Sequence, residues 1–222
     1  MAVRIADPAH LGGGHLDPRL RLLLRLAPVS QPAAPGVDEE RARERESRSG
    51  LRRLFVRRVG MKRIEDRLIP AQGWAIPIRI YTPAESAPMP ILIFLHGGGW
   101  ALGDLEQSDP FCRQLAKRGQ CVVISVDYRL APEHKFPAAL EDALAILDWA
   151  AEHAPELGGD SARLGVVGGS AGGTLATAAC LAARQHDHPA IAFQILFNPV
   201  TNLAQMDTES HRQFGMQGYG IT

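Results

Sequence analysis

Gly168-Gly169-Ser170-Ala171-Gly172-Gly173 places one serine among residues with almost no side chain. Through Gly168, Ser170 and Gly172 it fits the pattern G-x-S-x-G, which suits a hydroxyl that attacks a carbonyl carbon. Such a hydroxyl must project from a sharp strand-to-helix turn, where flanking side chains would collide, so its neighbours must be small. The turn predicts Ser170 at a helix N-terminus, where backbone N–H groups and the helix dipole favour developing negative charge. A second loop, His96-Gly97-Gly98-Gly99-Trp100, supplies what that turn lacks. Its glycines let backbone N–H groups approach a substrate closely, and acyl transfer needs such donors about 2.7–3.1 Å from the oxyanion. Either loop alone is weak evidence, since a glycine triplet could equally cradle phosphate or make a simple turn. Both together, each after an apolar run, point to ester hydrolysis.

Those loops must be held by strands and helices. Ile76–Tyr81 alternates with period two and predicts a strand, with Pro77 suggesting an edge position or a strand start. Ile91–Leu95 and Cys121–Val126 are continuous apolar runs, as expected of strands buried on both faces; Leu164–Val167 and Ile191–Phe197 follow. Leu140, Leu144, Leu147 and Ala151 recur at helical spacing after Pro137, and Ser170–Arg184 is alanine-rich and helical. Strands alternating with helices predict an α/β fold with a mostly parallel sheet flanked by helices.

The 222 residues are 45% apolar and 22% charged, which favours a packed core over disorder. Lys plus Arg and Asp plus Glu are 24 each, which argues against a dedicated nucleic-acid binder. The charge is uneven: residues 1–70 are net basic and residues 71–222 net acidic. Between Asp38 and Arg63, arginines interleaved with glutamates could form a basic arm for nucleic acid or anionic lipid. They equally suit a solvated helix face with internal Glu–Arg pairs, the reading preferred here. No apolar run is long enough for a membrane span, and the arginine-broken leucines of residues 20–26 make no secretory signal. Cys112, Cys121 and Cys180 lack metal-ligand spacing and read as reduced, small hydrophobes of a cytoplasmic protein.

Ile93–Trp100, Val126–His134 with Phe136–Ala139, and the Ser170 turn resemble the hormone-sensitive-lipase-like (bacterial family IV) esterases of the α/β-hydrolase superfamily. Gly169 stands where that family usually has Asp. Leu16-Asp17-Pro18 resembles the start of its N-terminal cap, and Ser210–Thr222 the segment after its sixth core strand. The resemblance implies a helical cap over residues 1–45 and an α/β-hydrolase core over residues 46–222. It implies Ser170 as nucleophile, with the N–H groups of Gly98, Gly99 and Ala171 as oxyanion hole. His96, Gly97, Gly168, Gly172 and Asp127 would be structural supports. A small, short-acyl ester would be the substrate, without metal or cofactor.

Serine also needs a histidine base and an acid to orient it, in the chain order Ser, Asp or Glu, His. After Ser170 the chain offers Asp187, Asp207, Glu209, His186, His188 and His211. Asp207 and His211 have the right order but fall in the segment that resembles the stretch before the family's acid-bearing strand. His186 and His188 should lie about 20 Å from Ser170 along a helix rising 1.5 Å per residue, and His134 belongs to a structural motif. The family's acid and base would follow two further strands, roughly 80 residues more. The expectation is therefore a truncated chain without the triad Asp and His, nearly inactive, with Ile191–Phe197 as an exposed sheet edge that could support homo-oligomers. The alternative is a binding or interaction module on the same scaffold, as in the gibberellin receptors, which lack the working histidine.

Overall fold

A computed structural model describes residues 59–71, 73–84, 88–186 and 188–204, with Gly36, Thr208 and Glu209. The predicted cap and its boundary at residue 45, together with Asp187, Asp207 and His211, lie outside these residues. Val37–Thr201 forms one compact unit, which holds the strands and 15-residue helices described below.

The elements are β1 (Arg63–Ala71), β2 (Trp74–Thr82), β3 (Met89–Leu95), α1 (Leu105–Gly119), β4 (Val122–Val126), α2 (Ala138–Glu152), β5 (Gly159–Gly169), α3 (Ala171–Gln185) and β6 (Phe193–Phe197). They build one sheet in the order β1-β2-β4-β3-β5-β6. β1 with β2 and β2 with β4 are antiparallel; β4 with β3, β3 with β5 and β5 with β6 are parallel. The sheet is mixed, with a parallel centre.

β1 is absent from the sequence reading. Arg63, Glu65, Asp66 and Arg67 break its apolar alternation, and among the described strands β2 alone pairs with it, so it is the outermost described strand on its side, where charges are tolerated. Pro77 does not mark an edge, because β2 lies between β1 and β4. The ladder to β4 begins at Ile78, one residue on, and the Pro77 carbonyl accepts the Asp127 N–H at 3.0 Å. Nitrogen and carbonyl of one strand residue face the same neighbour, so the missing N–H falls just past the last β4 partner.

Alternation along the central strands divides the core between two faces. Ile78, Ile80, Ile91, Ile93, Leu95, Ile124 and Val166 pack against Ala143, Ile146, Leu147 and Ala150 of α2 and Leu175, Ala176 and Ala179 of α3. Tyr81, Leu92, Phe94, Val123 and Val167 face the other way, onto Cys112 and Ala116 of α1. Each fully buried Ile or Leu contributes roughly 1.5–3 kcal/mol. The helices therefore cover opposite faces. The chain leaves β3 through α1 to β4 on one side and later returns with β5 on the other. The ends of β3 and β5 thus flank the reversal of strand order at which open α/β sheets place their ligand crevice.

Candidate active site

Both glycine loops lie at that reversal. Ser170 directly follows β5 and forms the N-cap of α3, with φ 51° and ψ −121°. A non-glycine residue adopts such a φ at a cost on the order of 1–3 kcal/mol. Hydrogen bonds hold it there: the Ser170 N–H donates to the Phe197 carbonyl at 2.8 Å, and its own carbonyl accepts Gly173 N–H at 2.9 Å and Thr174 N–H at 3.2 Å. The Thr174 hydroxyl donates to the Val200 carbonyl at 2.7 Å. Ser170 is exposed, while Ala171 behind it is buried. Ala171 opens the helix, where the geometry supplies its N–H with no intrahelical carbonyl.

The His96–Trp100 loop abuts this turn. A Cβ added to Gly97 would lie 3.0 Å from the Gly169 carbonyl oxygen and 3.4 Å from the Ser170 Cβ. One added to Gly172 would collide with the carbonyl oxygens of Leu95 and His96, so the first turn of α3 is pressed against the end of β3. Gly168 has the same closeness to the Gly172 carbonyl. Gly98, at φ 127°, closes the loop by accepting Ala101 N–H at 3.1 Å and Leu102 N–H at 2.8 Å. The structure thus gathers Ser170, Ala171, Gly168, Gly172 and Gly97–Gly99 into one place.

Beneath the loop, the buried His96 ring stacks on Tyr128 with centroids 4.3 Å apart. Its Nδ1 donates to the Gly97 carbonyl at 2.8 Å, and the Tyr128 hydroxyl donates to the His96 carbonyl at 2.7 Å. Burial pushes the Tyr128 phenol well above its ordinary value, which keeps it a donor. Ala131 N–H bonds the Trp100 carbonyl at 2.8 Å, tying the loop to the chain after β4.

That chain is anchored in turn by Asp142 of α2, which is fully buried. Asp142 accepts the Arg129 N–H at 2.8 Å, the Arg129 Nε at 3.0 Å and the Trp74 Nε1 at 2.9 Å. The Arg129 guanidinium lies 3.7 Å over the Trp74 ring. Asp127, half-buried at the start of this segment, has a carboxyl pushed up to about 6 by burial and by the neighbouring Asp104. Asp104 caps α1 by accepting Gln107 N–H at 2.8 Å.

Sequence reasoning missed Asp142 and Gly103. Asp142 carried no local signal, because its partners lie 13 and 68 residues away. Gly103, at φ 103°, has the His96 ring where its Cβ would be, and the pair Gly103-Asp104 ahead of a helix could have flagged that turn.

The described histidines after Ser170 sit at the other end of α3. His186 is its C-cap, and His188 Nδ1 is 2.8 Å from Asp148 of α2. His153 stacks on Trp149 at 4.8 Å. Burial raises the Cys112 thiol to about 12 and the Cys121 thiol to about 11, so both stay protonated, consistent with packing residues. Among the described residues no helix is long and apolar enough to cross a membrane.

Residues 92–222 match the family described by the alpha/beta hydrolase fold. The carboxylesterase NlhH of Mycobacterium tuberculosis is 42% identical over 188 residues, which cover 84% of this chain and 57% of the relative. A hyperthermophilic esterase of the archaeon Pyrobaculum calidifontis superposes with a TM-score of 0.84 at 38% identity, over 93% of this chain and 66% of that one. A thermostable esterase of Pseudomonas putida gives 0.85 at 31% identity, over 95% and 66%. The chain therefore spans a little over half the length of the curated relatives it matches. A serine at a strained strand-to-helix turn, a glycine loop packed against it and these relatives place the chain in the α/β-hydrolase fold family, among the hormone-sensitive-lipase-like esterases.

Proposed function

We propose that this chain carries the nucleophilic half of a serine carboxylesterase acting on small, short-acyl esters. The observation that carries the reading is the packing of the Gly97–Gly99 loop against Ser170, so close that a Cβ added to Gly97 would lie 3.4 Å from the Ser170 Cβ. Ser170 Oγ attacks the ester carbonyl, the alcohol leaves with a proton, and water then releases the acid from the acyl-serine. The N–H groups of Gly98, Gly99 and Ala171 receive the oxyanion. Loss of one such donor typically costs about 10²–10³ in turnover. His96, Gly97, Gly168, Gly172 and Asp127 hold the loops rather than touch substrate. No cofactor enters these steps.

Deprotonating Ser170 needs a base. Among the described histidines, His188 is engaged with Asp148, His186 caps the far end of α3, His153 stacks on Trp149 and His96 lies beneath the loop against Tyr128. We therefore propose that the 222-residue chain turns over esters slowly and still reacts at Ser170.

A fluorophosphonate probe should label the chain, and Ser170→Ala should abolish the label. With p-nitrophenyl butyrate, turnover should fall on the order of 10³-fold or more below that of a full-length relative. Turnover equal to the relative's would overturn the low-activity claim. Failure of the probe to label, with stoichiometric ligand binding and no burst of product, would favour the non-catalytic binding module.

A further inference from the structure

We propose that Thr174 is a positioning residue for Ser170, acting through the turn that follows β6 rather than on substrate. The proposal rests on Ser170 being the nucleophile. A threonine inside a helix ordinarily returns its hydroxyl proton to the carbonyl four residues back. For Thr174 that carbonyl belongs to Ser170, and it lies 3.5 Å from the hydroxyl oxygen. The Val200 carbonyl is far nearer, at 2.7 Å, and a hydroxyl has one proton to give. The proton is therefore diverted from the helix to a segment 26 residues further along the chain. The Ser170 carbonyl keeps the Gly173 and Thr174 N–H groups instead.

That segment is bent to meet α3. Asn198, at φ 45°, holds a left-handed conformation that asparagine tolerates better than most residues, directly after β6. Pro199 then lies against the helix: a Cβ added to Gly173 would come within 3.0 Å of the Pro199 Cβ. Residues 197–200 thus meet the start of α3 at three points. The Phe197 carbonyl takes the Ser170 N–H at 2.8 Å, Pro199 rests on Gly173, and the Val200 carbonyl takes the Thr174 hydroxyl.

The third point is made by a side chain whose branching at Cβ limits where its hydroxyl can sit. It fixes how far the turn stands from the helix. Without it, the Phe197–Ser170 bond would share the fraying of β6, the outermost described strand on its side. A φ of 51° at Ser170 persists only where the surroundings impose it. A looser turn would let the serine drift from its place beside the Gly97–Gly99 loop.

Three variants test this. Thr174→Val keeps the shape and removes the hydroxyl, and Thr174→Ser keeps the hydroxyl. Thr177→Val makes the same chemical change on the same helix, but its hydroxyl donates to the Gly173 carbonyl, at 3.0 Å, and not to the turn. One readout is the second-order rate of fluorophosphonate labelling of the folded chain. The other is deuterium exchange of the Ser170 amide relative to the β3–β4 ladder, a ratio that uniform destabilisation does not move. Thr174→Val should slow labelling about tenfold to 10²-fold. It should speed the relative exchange about tenfold. Thr174→Ser should bring both within about threefold of the wild type. Thr177→Val should leave both unchanged. Three results would overturn the proposal: either readout unmoved in Thr174→Val, Thr174→Ser as impaired as Thr174→Val, or Thr177→Val as impaired as Thr174→Val. If the wild-type chain does not label at all, it is the nucleophile reading that fails. The exchange comparison then decides by itself whether Thr174 holds the turn.

Discussion

Ser170 stands at φ 51° because three backbone hydrogen bonds and the pressure of neighbouring glycines leave it no other conformation. The tightest of those glycines faces backbone, which cannot swing aside as a side chain can. Gly172→Ala drives a methyl group into the carbonyls of Leu95 and His96. It should cost about 3 kcal/mol or more, read from the midpoint of urea unfolding. Asp127 responds to pH in a direction set by its environment. Its carboxyl is raised from 3.8 to about 6 by burial and by Asp104, so the folded chain binds this proton more tightly than the unfolded chain. Its contribution is therefore most favourable below pH 4 and is lost as pH rises through 6. Asp127→Asn should stabilise the chain at pH 7–8, on the order of 1 kcal/mol after allowance for solvent screening, and the gain should vanish by about pH 4. Thermal unfolding of both proteins across that range would show it; a constant difference would contradict it.

Among the elements, α2 helps to fix the loop that adjoins Ser170, although it touches neither glycine motif in sequence. Its Asp142 gathers Arg129 and Trp74, and the segment containing Arg129 reaches the loop through Tyr128 and through Ala131 N–H on the Trp100 carbonyl. Asp142→Ala would leave the Arg129 guanidinium to the exposed Glu141 carboxylate, 2.9 Å away, and remove the acceptor of the Arg129 N–H and of the Trp74 Nε1. A loss of about 1–3 kcal/mol is expected in chemical denaturation. The apolar runs of β3, β4 and β5 and the helix after Ser170 were legible in the sequence because a pattern of two or of 3.6 residues survives in a single stretch. β1 was not, since its charges suit a strand that has a described neighbour on one side alone. Pro77 misled for a related reason: whether a proline disrupts a sheet depends on how far its neighbour's ladder extends. Asp142 was invisible because its value comes from partners on β2 and after β4.

Across the molecule, the charge imbalance of the sequence proved less informative than where the strands end. The glycine motifs announced Ser170 and its loop from residue types alone, since sharp turns and close backbone approaches restrict which residues can serve. A cavity at the opposite end of β5 had no such signature, because it is lined from three separate stretches, Lys62–Arg63, Thr82–Met89 and Pro155–Gly158. β6 is the outermost described strand on its side, with Phe193 and Phe197 39% and 46% exposed. Its last residue also accepts the Ser170 N–H. That single bond makes the amide proton of Ser170 a gauge of the strand beside it. It can exchange with solvent deuterium only when β6 lets go of the turn, so its protection should match that of the β6 ladder and fall well below that of the β3–β4 ladder. Residue-resolved hydrogen exchange would then measure, from Ser170 itself, how often the outer strand detaches.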